Sequence, residues 1–494
     1  MSEATDPPQD DPGNASTERR IAWNTAIRSG GEIIAKLASV AFYVVMAREL
    51  GEQSFGDFMF ALSFASVLMI AAGFGIDDLT IREVARDSSR LDWYLSNGAI
   101  LKIATSVALL GVAAITVNVG GYSSEARATM YLVGAGVAIE TLSWTWHAIF
   151  TAYERLDLTA LSIIAQRTIT AVVGIALILN GAGIVTAAAV FLAGAALQLV
   201  ISHIQMVRRI RRPQLVVDAR AWRELLRVGI PVGLVGLLLT LLIKLDTVLL
   251  SFLSGGDNAE VGFLSAAYRL VEATMFVSWS FAHATLPWLG RRAQSGGPEL
   301  AQACRLGLKA ISMLLVPIGT GLIVLAPQVI DLFYGSQYEE AIVPLRLLGA
   351  MSVLYGVNYF AGMTLIALDQ PERFRRVALP VVIQNVILNV ILIPPLGANG
   401  AAISALASGI VLAVLTTLQV RAAVGSFQVL GAFSGPVLAG GVMAVALLLV
   451  DLPLVPAALL GAVLYLAMLA AVERAAFRED VELMVRIARR RAWG

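Results

Sequence analysis

The sequence predicts an all-α polytopic membrane protein with about 14 transmembrane helices, arranged as two pseudo-symmetric six-helix lobes plus two C-terminal helices. Hydrophobic residues make up 58% of the 494 residues and charged residues only 14%. The mean hydropathy is +0.77, whereas about a quarter of the residues in a soluble domain are charged. The composition therefore predicts a protein embedded in membrane lipids, with no nucleic-acid partner.

Each predicted helix rests on an apolar segment of about 20 residues, the length that crosses the hydrocarbon core. The segments lie near 22–47, 57–76, 96–118, 128–150, 159–179, 183–206, 228–253, 261–288, 307–329, 341–367, 376–394, 398–420, 431–450 and 453–472. Lys and Arg in the connecting loops divide 27 to 3 between the two sides of the membrane. Because basic loops remain in the cytoplasm, both termini are predicted to be cytoplasmic.

The loops and tails set the predicted domain boundaries. They are a disordered cytoplasmic tail at 1–20, a first six-helix lobe at 21–207, a basic cytoplasmic linker at 208–227, a second six-helix lobe at 228–424, two additional helices at 425–475 and a basic amphipathic cytoplasmic tail at 476–494. The first tail is acidic and contains prolines, which is typical of disorder. The last tail carries apolar residues at helical spacing, which favours a helix on an anionic membrane surface.

Weak internal similarity relates the two lobes. "GAGIVTAAA" from Gly181 is similar to "GANGAAISA" from Gly397, and "FGDFMFAL" from Phe55 is similar to "VGFLSAAY" from Val261. A third match aligns Glu154 with Glu372, an offset of 218 residues. The three matches occur in the same order, which indicates parallel repeats with a cleft between them.

Six basic residues lie inside predicted spans, although an intramembrane charge costs ~2.5–3.5 kcal/mol on insertion scales. They are Arg28, Lys36, Lys102, Arg167, Lys244 and Arg269, and four acidic residues, Glu32, Glu140, Asp246 and Glu272, oppose them. Arg28, Glu32 and Lys36 follow one another at intervals of four and so share one helix face. The excess of cations predicts a positively charged cavity, confined to the first eight spans.

A cationic cavity suits a diphosphate, because Arg offers forked donors and Lys a point charge to phosphate oxygens. The candidate substrate ligands are Arg28, Glu32, Lys36, Lys102, Lys244 and Arg269, and Asn24, Gln166, Gln384 and Asn385 are candidates for sugar hydroxyls. Glu32, Asp246 and Glu272 are candidates for a coupling site or a structural ion pair. Glu32 would then bridge two cations, and Asp246 would pair with Arg269, which is predicted at a similar depth.

Several segments resemble the polysaccharide-biosynthesis exporters of the multidrug/oligosaccharidyl-lipid/polysaccharide superfamily. They are "NTAIRSGGEIIAKLASVAFYVVMARELGEQSFGDFMFAL" from Asn24, "LLRVGIPVGLVGLLLTLLIKLDTVLLSFLSGGDNAEVGFLSAAYRLVE" from Leu225 and "LNVILIPPLGANGAAISALAS" from Leu388. The resemblance implies a flippase that moves a polyprenyl-linked sugar to the outer leaflet of the cell membrane. The two extra helices are similar to the lipid II flippase branch, in which cations on the first and eighth spans hold the substrate, and this carries over to Arg28 and Arg269 by position.

Other functions fit the sequence less well. A cation-coupled multidrug exporter of the same superfamily needs uncompensated carboxylates, whereas the excess here is positive. A membrane polymerase or ligase needs catalytic groups on sizeable outer loops, and these loops are short. No metal cluster, nucleotide loop or catalytic triad is evident in the sequence, so we predict a transporter without a cofactor. Its expected partners are a lipid-linked sugar, membrane lipids and glycosyltransferases or a polymerase of the same pathway.

Overall fold

The computed structural model describes residues 12–295, 297–425 and 427–476, and within these the side chains of residues 12–33 are outside the described part. Fourteen α-helices make up this described chain. They are α1 Pro12–Gly73, α2 Ile76–Arg86, α3 Leu91–Val119, α4 Ser124–Ala152, α5 Leu156–Leu179, α6 Ile184–Arg209, α7 Ala219–Leu253, α8 Ala259–Ser295, α9 Gly297–Val324, α10 Ala326–Tyr334, α11 Ile342–Ala367, α12 Pro371–Val424, α13 Val429–Leu449 and α14 Leu454–Ala476.

Two of these helices are each long enough to cross a membrane twice. The path of α1 breaks at Gly51 (φ 77°), and that of α12 breaks at Gly397 (φ 54°). Ten described helices, including these two, are long and apolar enough to span a membrane. Helices α4 and α8 are also long, at 29 and 37 residues, but they carry more polar side chains. Counting both arms of α1 and α12 gives about fourteen crossing segments among the described residues, as the sequence predicts.

The two lobes repeat the same packing arrangement. In the first lobe, α4 packs on α6 and on the second arm of α1, while α5 packs on the first arm of α1. In the second lobe, α11 packs correspondingly on α12 and α8, while α12 packs on α7. The chain passes between the lobes from Arg209 to Ala219, so α7 begins before the predicted end of the linker at 227. This architecture confirms the predicted all-α fold with two related lobes.

Backbone geometry fixes the register of the repeat. Gly181 and Gly397 both have left-handed backbone angles (φ 86° and 54°) at matching helix ends, which agrees with the predicted alignment. The turns before α5 and α12 share an unusual residue, Glu154 in one and Asp369 in the other, each with φ 56°. This gives an offset of 215 rather than the predicted 218. The prediction matched similar letters inside the helices, whereas the turn sets the register.

The similar segments that begin at Phe55 and Val261 lie against each other at one end of the bundle. A methyl group added to Gly56 would lie 1.8 Å from the carbonyl oxygen of Asn258, and one added to Gly262 would lie 2.2 Å from that of Glu52. An offset of 206 residues relates both members of the first contact to those of the second, so the contact is reciprocal across the axis between the lobes. The Asn258 side chain also donates to Asp57 at 2.7 Å. We call this contact the glycine gate.

The last two helices, α13 and α14, pack against α9. Their contact includes a buried ion pair at 2.5 Å between Lys309 of α9 and Glu473 of α14. The sequence analysis placed Lys309 among loop residues and expected no interior charge beyond the eighth span. That expectation is wrong, because α14 continues past the predicted end of its span and brings Glu473 to Lys309.

The predicted tails are only partly described. Helix α1 begins at Pro12, so the second half of the segment predicted to be disordered at 1–20 is helical. Proline is favoured in the first turn of a helix, where its missing N–H costs nothing. Residues 1–11 and nearly all of the predicted surface helix at 476–494 lie outside the described residues.

Candidate functional site

A cavity of about 710 Å³ lies between the two lobes. Its walls come mainly from α1 and α5 of the first lobe and α8 of the second, with contributions from α4, α6 and α11. Ligand sites commonly occupy about 300–1,000 Å³ at interfaces of this kind. The cavity is therefore the leading candidate for a binding site in the described part of the chain.

Five charged side chains line this cavity. They are Lys36, Arg167 and Arg269 on the basic side and Glu140 and Glu272 on the acidic side. The described lining thus has one more cation than anions, which is the sign predicted from the sequence. The cavity also contains aromatic rings, including Tyr43 and Trp279, and these supply flat apolar surface beside the charges.

Arg269 is held in a defined position on the cavity wall. Its Nη1 donates to Oε2 of Glu272 at 3.0 Å, and its guanidinium carbon lies 4.0 Å from the centroid of the Tyr43 ring. Lys244 donates from α7 to the other oxygen of Glu272 at 2.8 Å. One carboxylate therefore holds two cations, and the group as a whole keeps a positive charge next to the cavity.

The predicted Asp246 to Arg269 pair is wrong. The Asp246 carboxylate accepts hydrogen bonds from the hydroxyl of Tyr268 at 2.7 Å, from Asn385 at 2.9 Å and from Asn389 at 2.7 Å. Adjacent residues on a helix diverge by about 100°. The side chain of α8 that reaches Asp246 is therefore Tyr268, while Arg269 turns toward the cavity. Asn385 belongs to this buried cluster and not to the predicted sugar site.

The predicted charged face of α1 enters the described part of the structure at Lys36. Its Nζ lies 3.5 Å from the centroid of the Phe276 ring of α8, which is within cation–π range. The backbone of Arg28 and Glu32 continues the same helix, but their side chains are outside the described residues. Their roles stay predictions.

Lys102, a predicted substrate ligand, lies elsewhere. It is buried among α2, α3 and α4, where it donates to Asp77 at 2.5 Å and to the backbone oxygen of Thr141 at 3.2 Å. Its side chain is fully buried and it is not among the residues that line the cavity. The sequence could not reveal this, because Asp77 lies just beyond the predicted end of its span. The structure therefore gives Lys102 a role in joining helices.

We expect Lys102→Met to lower the stability of the protein by about 1–3 kcal/mol, because it leaves the Asp77 carboxylate without its charged partner. Thermal unfolding in detergent measures the loss, and adding Asp77→Asn should restore much of it. Arg155→Met, which removes an exposed ion pair with Asp157, is the matched control and should change stability by less than about 1 kcal/mol. A transport defect at unchanged stability would instead support the original prediction.

Two cavity residues received too little weight in the sequence analysis. Arg167 and Glu140 were treated only as further polar positions, yet both line the cavity. Gln166, predicted to meet a sugar, also lines it, and its amide donates to Glu140 at 3.1 Å. The available signal was their shared position within spans of the first lobe. The aromatic wall carries no such signal, because Tyr and Trp are common in membrane helices.

Comparisons with known proteins support this interpretation of the fold. The family model described as "Polysaccharide biosynthesis protein" matches residues 21–292, more than half of the chain. A relative named probable low-salt glycan biosynthesis flippase Agl15, from Haloferax volcanii, is 26% identical over 363 residues, covering 72% of this chain and 74% of the relative. The probable flippase AglR of the same organism is 29% identical over 195 residues, covering 37% and 40% of the two chains.

Two solved structures have a similar fold. One is the lipid II flippase MurJ in its inward closed conformation, with a TM-score of 0.78 at 16% identity, covering 91% of this chain and 99% of the other. The second is an inward-facing multidrug resistance transporter of the MATE family, with a TM-score of 0.62 at 19% identity, covering 78% and 93%. At these identities the likeness concerns the fold.

Proposed function

The chain belongs to the polysaccharide biosynthesis protein family, and we propose that it is a flippase for a lipid-linked oligosaccharide. In this proposal it moves a polyprenyl-diphosphate-linked sugar from the cytoplasmic to the outer leaflet of the cell membrane. The observation that carries the proposal is the positively charged cavity between the lobes. Its donors match phosphate oxygens in both charge and hydrogen-bonding capacity.

The cavity residues have separate parts in this proposal. Arg269 and Arg167 bind the diphosphate as forked donors, and Lys36 adds a point charge. Glu272 positions Arg269 and Lys244 through the two hydrogen bonds to its oxygens. Arg28, as the next basic residue along α1, extends the same charged face toward the cytoplasm.

Alternating access follows from the arrangement of the lobes. At the end that holds the glycine gate, the lobes are in close contact, and Tyr338 also donates to the backbone oxygen of Ala47 at 3.2 Å. Separating these contacts while bringing together the opposite ends would move the cavity from one side to the other. Both lobes can move as rigid units because each has its own packed helices.

The basic loops favour a cytoplasmic position for both termini, and this orientation has its own test. Cysteines introduced at Asp257, which is exposed, and at Leu215, which is 79% exposed, should react from outside and inside the cell respectively in a Cys304→Ser background. Asn258 is unsuitable, because it is buried in the glycine gate. The reverse labelling pattern would overturn the orientation.

Asp246 is the carboxylate best suited to couple transport to an ion gradient. Its side chain is fully buried, and its hydrogen-bond partners Tyr268, Asn385 and Asn389 are all neutral. Bringing a proton or a monovalent cation to this site would remove the cost of a buried negative charge. Glu272 already has two cationic partners, so a third positive charge would gain less there.

Asp246→Asn is expected to remove the dependence of transport on a proton or Na⁺ gradient and to slow transport by about tenfold or more, while diphosphate binding is retained. Reconstituted vesicles with each gradient imposed in turn measure this effect. Tyr268→Phe is the matched control, because it removes one hydrogen bond and keeps the carboxylate. Gradient-dependent transport by Asp246→Asn would show that this carboxylate has only a structural role.

The proposed function itself is tested by placing the purified protein in vesicles with a fluorescent polyprenyl-diphosphate oligosaccharide. Flipping should make the sugar in the inner leaflet accessible to an external glycosidase, at a rate that depends on the protein. In cells, depletion should leave the lipid-linked sugar on the cytoplasmic leaflet. An outer-leaflet accumulation, or sugar transfer by the protein alone, would contradict the proposal. Glycosyltransferases or a polymerase of the same pathway are the expected partners.

A further inference from the structure

A second pocket lies inside the second lobe, between α7, α8, α11 and α12. It has a volume of about 210 Å³ and almost entirely apolar walls. Leu242, Met351, Met363 and Leu412 are among the residues that form it, and Asn358 and Ser408 are among its few polar residues. A sugar would leave its hydroxyl groups without partners here, which is costly.

This apolar pocket adjoins the charged cavity. Met275 and Tyr359 line both spaces, so a single elongated molecule can occupy the two together. The pocket is also accessible, because Leu239 and Ile366 in its walls are 39% and 51% exposed. Methionine side chains are flexible and adapt to irregular apolar shapes, and three of them line the pocket.

We propose that the apolar pocket holds the first isoprenoid units of the substrate, next to the diphosphate in the charged cavity. This inference rests on the proposed function and adds a second binding site to it. In a polyprenyl diphosphate the apolar chain begins directly at the phosphate. A phosphate near Arg269 therefore brings the first apolar units close to the cavity wall, where Met275 and Tyr359 give access to an apolar surface.

The pocket adds selectivity that the charged cavity alone lacks. Phosphate recognition by Arg269 and Arg167 does not distinguish a polyprenyl diphosphate from a soluble nucleotide sugar, because both present the same oxygens. An adjoining apolar pocket stabilises only the molecule with a chain in the right position, roughly in proportion to the apolar area it buries. We therefore expect the protein to bind prenyl diphosphates more tightly than diphosphates without a chain.

The test fills the pocket without touching the charged residues. A methyl group at Gly362 would meet only Phe374, at 3.8 Å, so Gly362→Leu should project into the open space. The full-length variant should bind geranyl diphosphate about tenfold more weakly than the wild type and methyl diphosphate equally well. Gly111→Leu is the control, because nothing lies within 4 Å of a methyl group there. Equal effects on both ligands, or none, would overturn the inference.

A second measurement needs no variant. Geranyl diphosphate with a photoreactive group on its chain should label peptides that contain Met351 or Met363 in the wild-type protein, and excess phospholipid should not compete. Labelling that phospholipid abolishes, or labelling confined to other helices, would also overturn the inference. Failure of the wild type to bind either diphosphate would instead count against the proposed function.

Discussion

Arg269→Ala is expected to reduce transport by roughly 100-fold or more while the protein remains inserted at normal levels. Truncating one partner of a buried, hydrogen-bonded charge pair typically costs 2–5 kcal/mol, and each 1.36 kcal/mol is a factor of ten in rate. Arg269 contributes a forked donor and is held ready by Glu272 and the Tyr43 ring. Arg269→Lys should recover part of the activity, because it keeps the charge and loses the fork.

The variants of Arg269 also separate substrate binding from neutralisation of a neighbouring charge. If Arg269 only balances Glu272, then removing both side chains together should restore transport. If it binds phosphate, the double variant should stay inactive. Arg155→Ala is the matched control, because it removes an arginine with an exposed ion pair outside the cavity. Normal transport by Arg269→Ala would overturn the proposed role of the cavity.

Arg28→Ala should have a similar effect, because Arg28 lies on the same helix face as Lys36. This expectation rests on helix geometry alone. An active Arg28→Ala protein at normal membrane levels would restrict the binding site to the residues around Lys36, Arg167 and Arg269.

The membrane helices were predictable because their signal is one-dimensional. A run of apolar residues and the placement of Arg and Lys both follow directly from the cost of moving charge into lipid. For the same reason the excess of positive charge in the cavity was predictable from residue types alone. The limits of α1 and α7 were not, because a helix continues past the lipid wherever its residues and contacts allow.

The pairing of charges was not predictable, because it depends on helix rotation and on partners distant in the chain. A similar depth for Asp246 and Arg269 suggested a pair, but the neighbouring Tyr268 makes the contact instead. Lys102 and Lys309 looked like free charges because Asp77 and Glu473 lie at or beyond the predicted ends of their spans. A one-dimensional analysis counts such charges correctly and cannot decide which of them a cavity receives.

The internal similarity predicted more than it was used for. It indicated two lobes, but it did not indicate that the two similar segments touch each other. In the structure the segments around Gly56 and Gly262 form the glycine gate, and the pseudo-symmetry makes each contact occur twice. Small residues at both positions are then required by the close approach of two backbones, not by helix packing in general.

Gly56→Ala is expected to prevent complete closure of the glycine gate and to reduce transport by about tenfold or more. The added methyl group would lie 1.8 Å from the backbone oxygen of Asn258, and a backbone atom cannot move aside as the end of a side chain can. The state with this end closed therefore loses stability, and the protein shifts toward the state that is open there. Gly262→Ala should act in the same way through Glu52.

The shift is measurable independently of transport. Ala47 is fully buried in the closed state, so an Ala47→Cys thiol in a Cys304→Ser background should react with an external reagent much faster once Gly56→Ala is added. Gly111→Ala is the control, because a methyl group there meets nothing within 4 Å. Unchanged labelling together with normal transport would mean that the lobes do not need this contact. Faster labelling with normal transport would show that full closure at this end is not required for the transport cycle.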